Sequence, residues 1–175
     1  MKKITVYLGL IIILYSCANP NRELKKERVN ILEVNQMYME SIDLSFRDTT
    51  YIPIYSEIYV QDEVRKLGLT STISIRNTSI KDTIFLEDIN HYNAQGKLIH
   101  KYLDNILFLT PMQSIQYIIK KRDVEKGMES SFIVIWGANS SEVKPIFQGI
   151  MISAYGRHGV SILTEGVSIS STTFK

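Results

Sequence analysis

The chain has 175 residues, 45% hydrophobic and 22% charged, with nine glycines, four prolines and one cysteine. This balance excludes intrinsic disorder, collagen-like repeats and a disulfide-stapled mini-protein. No apolar run reaches the roughly 18 residues needed to span a bilayer as a helix, so a polytopic helical membrane protein is excluded too. Removing Lys2 and Lys3 with a leader takes the twenty bases to eighteen, against eighteen acids. A neutral mature chain is poorly suited to nucleic acid, whose binding rests on neutralised phosphates.

Lys2 and Lys3 open the chain, and Ile4 to Tyr15 follow as an uncharged, mostly apolar stretch ending at Ser16-Cys17. That is the layout of a secretory signal peptide over residues 1–16. Leu14-Tyr15-Ser16-Cys17 resembles the lipobox of bacterial lipoproteins, in which the thiol is acylated and cleavage leaves the cysteine first. Cys17 is therefore the expected lipidation site, and two or three acyl chains anchor durably where one does not. Ala18, with no acidic run after it, resembles the pattern of lipoproteins sorted to the outer membrane and facing the periplasm. The mature protein would then hold no thiol beyond the acylated one, leaving neither disulfide nor thiol catalysis.

Residues 17–50 read as the lipidated cysteine and a spacer, mixed in charge from Arg22 to Arg28 and only weakly helical in its apolar spacing. From Tyr51 the period becomes two. Ile52, Ile54, Ile58 and Val60 alternate with tyrosines, and Leu67 to Arg76 alternate likewise, so both read as strands with one buried face. Asn77-Thr78-Ser79 breaks the second strand, and Asn93-Ala94-Gln95-Gly96 turns a third, Thr83–Asn93, into Lys97–Leu103. Further runs lie at Ser114–Ile119, Ser131–Gly137, Ile146–Tyr155 and Val160–Ile169. Seven or eight short strands separated by turns predict an all-β, two-layer sandwich of immunoglobulin-like type over residues 51–175.

Several phrases together carry a family resemblance. They are Tyr51-Ile52-Pro53-Ile54-Tyr55-Ser56, Ser74-Ile75-Arg76-Asn77-Thr78, Tyr92-Asn93 with Gly96-Lys97-Leu98 and Tyr102-Leu103, Phe132-Ile133-Val134 with Trp136, and Gly159-Val160-Ser161 with Gly166. Their order and spacing over residues 51–169 resemble a bacterial family of secreted or lipid-anchored domains of unknown function. The resemblance implies export and one compact domain, and it brings no substrate or catalytic residue.

Tyr51, Tyr55 and Tyr59 fall on one strand face if the strand is continuous, and an open row of rings would stack on a sugar, a peptide or a partner side chain. The alternative is that the spacer or another strand covers them. Pro53 lacks a ladder donor, which places this strand at a sheet edge or near its own start. Tyr155-Gly156-Arg157-His158-Gly159 reads as a hairpin whose tip, Arg157 and His158, suits an anionic group as well as plain solvent. Glu87, Ile89 and His91 are expected on one face, which would make a carboxylate and an imidazole neighbours. Asp88 and Glu165 are the other polar positions near apolar strands, and Trp136 is expected to pin the core.

His91, His100 and His158 lack the close spacing of a zinc motif, so no metal or cofactor is expected. Asp48-Thr49-Thr50 and Asp82-Thr83-Ile84 resemble a short O-glycosylation signal, with Thr49, in the spacer, the more accessible acceptor. No Gly-x-Ser-x-Gly elbow, Walker or dinucleotide glycine pattern occurs, and no enzyme activity is expected. The chain reads as an envelope lipoprotein mediating protein contacts or assembly, with a glycan or small-ligand module using the tyrosine row as the alternative.

Overall fold

A computed structural model describes residues 36–37, 42–60, 64–119, 129–155 and 158–174. Cys17, the leader, most of the spacer, the basic cluster Lys120-Lys121-Arg122 and Arg157 lie outside the described residues. The described strands are β1 (Gln36–Met37), β2 (Phe46–Tyr55), β3 (Glu57–Tyr59), β4 (Lys66–Gly68), β5 (Thr70–Arg76), β6 (Ile84–Asn93) and β7 (Leu98–Lys101). They continue with β8 (Ile106–Leu109), β9 (Ser114–Ile119), β10 (Glu129–Ala138), β11 (Ile146–Tyr155), β12 (His158–Glu165) and β13 (Val167–Thr173).

Every ladder is antiparallel. The first sheet runs β1-β8-β6-β10-β2-β13, with β7 also on β6; the second runs β12-β11-β5-β9; β3 and β4 form a separate hairpin. Side chains from both large sheets make one core, in which Ile52, Ile54, Leu86, Phe132 and Val134 meet Ile73, Ile75, Ile115, Phe147 and Met151. The protein is thus an all-β sandwich, as the alternation predicts. An immunoglobulin strand order is not shown: β2 and β5, the first two long strands among the described residues, lie in different sheets.

The turn chemistry is that of the sequence. Gly96 takes φ +75°, where only glycine is comfortable, and Asn93 Oδ1 accepts the amides of Gln95 and Lys97 at 3.1 and 2.9 Å. Asn77 is buried, and its amide donates to the carbonyls of Asp82, Leu109 and Thr110 at 2.7–3.0 Å.

β2 begins at Phe46 rather than at Tyr51, so Thr49 lies in mid-strand between β10 and β13 and not in a spacer. β2 is not an edge strand either. β13 pairs with it only as far as Tyr51, and the Pro53 carbonyl beyond accepts the Thr164 hydroxyl at 2.7 Å. The amide and carbonyl of a strand residue point the same way, so the missing N–H of Pro53 falls where no ladder partner waits.

Glu87 is an extra residue in β6: Asp88 opposes Ile135 while Leu86 opposes Trp136. The bulge shifts the phase, turning Ile89 and His91 inward and leaving Glu87 half exposed on Arg47 at 2.7 Å. Glu87 and His91 therefore do not share the one face expected of them. His91 is fully buried and stacks on Phe132 with 4.4 Å between ring centres.

Candidate ligand pocket at the seam of the two sheets

The inward residues of β2 are Phe46, Asp48, Thr50, Ile52 and Ile54. Two polar residues thus occupy positions that period two assigns to the interior. They belong to one hydrogen-bonded set. The Trp136 indole N–H donates to Thr50 Oγ1 at 3.0 Å, the Thr50 hydroxyl donates to Asp48 Oδ1 at 2.9 Å, and the Ser168 hydroxyl donates to Asp48 Oδ2 at 2.5 Å. Asp48 is only 6% exposed. Hydrogen bonds to a charged acceptor are worth about 1.5–3 kcal/mol each, enough to hold the carboxylate in one orientation.

Strand geometry explains how these groups meet. Trp136 opposes Asp48 across the β10–β2 ladder, and Ser168 opposes Thr50 across β2–β13. Ser168 and Ser171 are three apart, a spacing that would put them on opposite faces of a regular strand. Ile169 is an extra residue in the β13 ladder, so Ser168 opposes Thr50 and Ser171 opposes Asp48, both inward positions of β2.

These residues line a half-open cavity of about 600 Å³. Aromatic walls come from Phe46, Trp136 and Phe147, whose rings follow one another at 5.6 and 5.8 Å between centres. The residue 141–148 segment, Glu165, Gly166 and Ser171 supply the rest. The site sits where the chain twice changes sheet, from β10 to β11 and from β12 to β13. The second crossing is one residue long. A Cβ on Gly166 would come within 2.7 Å of Thr50 Cγ2 and 2.8 Å of Phe147 Cβ, so only glycine permits that approach.

The tyrosines lie elsewhere. Tyr51 and Tyr55 share the face of β2 opposite Asp48 and Thr50; Tyr51 is exposed, and Tyr55 packs against the core. A bend at Ser56 ends the strand, and Tyr59 lies in the β3–β4 hairpin beneath the Lys66 ammonium, 5.5 Å from its ring centre. The three do not form one row. Arg157 lies outside the described residues; His158 opens β12, and its side chain is not described. Glu165 does reach the cavity wall, whereas Asp88 pairs with Lys101 at 2.7 Å. No group of three or more His, Cys, Asp or Glu suited to a metal occurs among the described residues.

Asp48, Thr50 and Ser168 are not among the binding residues that the sequence suggests. Their signal was present as an in-phase continuation of the alternation: Phe46, Asp48 and Thr50 lead straight into Ile52 and Ile54.

Over residues 47–169 the sequence matches the family model described as protein of unknown function (DUF3124). No curated protein matches it. A crystal structure of Thermotoga maritima 1070 is similar at 15% identity and a TM-score of 0.40, covering 72% of this chain and 96% of that one.

Proposed function

The chain belongs to the DUF3124 family of proteins of unknown function, and we propose that it is a lipid-anchored envelope protein whose seam pocket binds a small polar ligand without transforming it. One observation carries the binding: a buried carboxylate, oriented by two hydroxyls, on the wall of an aromatic-lined cavity of about 600 Å³. Concave sites that set fixed polar groups among aromatic walls are suited to small molecules, and this volume is within their usual range of about 300–1,000 Å³. The leader and Cys17 support export and an anchor on the periplasmic face of the outer membrane. The lack of a catalytic motif in the sequence supports binding over turnover.

The test is a thermal-shift screen of the full-length protein against amines, sugars, carboxylates and short peptides. A ligand at about a hundred times its dissociation constant adds roughly 2.7 kcal/mol of stability. The shift should vanish in Asp48→Asn and persist in Tyr51→Ala; the reverse pattern would return the site to the tyrosine face.

A second reading, protein contact or assembly, has its own observation. Leu163, Ile150, Thr72 and Ile118 form a transverse row on the outer face of β12-β11-β5-β9, and Leu163 and Ile118 are 59% and 60% exposed. An exposed apolar sheet face of this kind marks association surfaces.

A further inference from the structure

Resting on the pocket reading above, we infer that the ligand is a small organic cation, an ammonium or guanidinium compound seated on Asp48 among Phe46, Trp136 and Phe147. The charge of the cavity points that way. Three carboxylates line it, those of Asp48, Glu142 and Glu165, against the single ammonium of Lys144, which donates to the Ser141 carbonyl at 3.0 Å. Asp48 is the deepest of the three. Its two donors are neutral hydroxyls, and no cation lies within salt-bridge distance among the described residues. Arg47, next in the chain, points to the other face of β2 and is held by Glu87.

A carboxylate removed from water without a countercharge is costly, and a cationic ligand supplies the missing charge at the point where it is worth most. The aromatic walls favour the same ligand, since ring faces attract ammonium and guanidinium groups. Anions meet net repulsion here, and a neutral sugar would leave the charge of Asp48 unmatched. A calcium ion takes six to eight oxygen ligands, which one buried carboxylate and an aromatic wall do not offer.

Calorimetric titration of the full-length protein with choline, ethanolamine, the neutral carbon isostere of choline, glucose, acetate and calcium chloride decides the matter. At least one ammonium probe should bind about tenfold or more tightly than the neutral isostere. Its affinity should fall with added salt and disappear in Asp48→Asn. Glu165→Gln, at an exposed strand end, keeps the fold intact and should weaken the ammonium probe about two- to threefold. Equal affinity for the neutral isostere, or preference for glucose, acetate or calcium, overturns the cation inference and leaves a binding pocket standing. Silence from every probe at millimolar concentration overturns both.

Discussion

Trp136 serves the core and the pocket at once: its ring packs between Phe46 and Phe147 while its N–H fixes Thr50. Tyr117 is the opposite case. It is buried beside Tyr102, with ring centres 5.1 Å apart, and its hydroxyl has no hydrogen-bond partner among the described residues. Burial first, and the neighbouring Tyr102 second, push its phenol well above the ordinary value of 10.0. The native state therefore keeps this proton where the unfolded chain has lost it. The resulting stability is fully present below pH 10 and drains away as pH rises beyond it. Tyr117→Phe removes a polar group that gains nothing at neutral pH. Its stability at pH 7 should be unchanged or raised by up to about 1 kcal/mol, and its alkaline loss should be shallower. Urea midpoints measured from pH 7 to about pH 11 check both halves; a variant markedly weaker at pH 7 would mean that the hydroxyl has a partner.

Among the elements, the one-residue link between β12 and β13 is the most constrained. Gly166→Ala drives a methyl against Thr50 and the stem of Phe147, neither of which is the free end of a flexible side chain. The expected cost is about 1–3 kcal/mol, with weaker ligand binding because Thr50 must move. Gly159→Ala, where a Cβ meets nothing within 4 Å, is the control and should be neutral or slightly stabilising. Equal urea midpoints for the two variants would show that the crossing is not tight.

The same elements show what alternation can and cannot convey. β9 and β11 lie where the period-two runs Ser114–Ile119 and Ile146–Tyr155 place them, because nothing interrupts their phase. The sequence places the start of β2 only at Tyr51, because Arg47, Asp48 and the threonines resemble linker composition, although their phase already matches Ile52 and Ile54. The run Val160–Ile169 is two strands, since Gly166 carries the chain from one sheet to the other without breaking the hydrophobic pattern. The bulges at Glu87 and Ile169 are invisible for a deeper reason. An extra residue reverses the facing of everything after it, and only the partner strand reveals it. The pocket depends on both kinds of hidden feature, so spacing along the chain does not bring Asp48 and Ser168 together.

At the scale of the molecule, the pocket and the anchor make separate demands. The pocket lies between residues 46 and 171, on strands whose core is complete among the described residues. Membrane attachment, as proposed, rests on Cys17 alone. The two should therefore come apart in a single substitution. Cys17→Ala, behind a leader that is cleaved independently of acylation, removes the acyl acceptor and with it the two or three chains that anchor durably. Expressed in a diderm bacterium, the wild-type chain should sediment with membranes and incorporate labelled palmitate. The variant should do neither, while its melting temperature and its response to the ammonium probes match those of the wild type. Continued sedimentation of an unlabelled variant would transfer the attachment to the exposed apolar row at Leu163 and Ile118, and with it the weight of evidence to a protein-contact role.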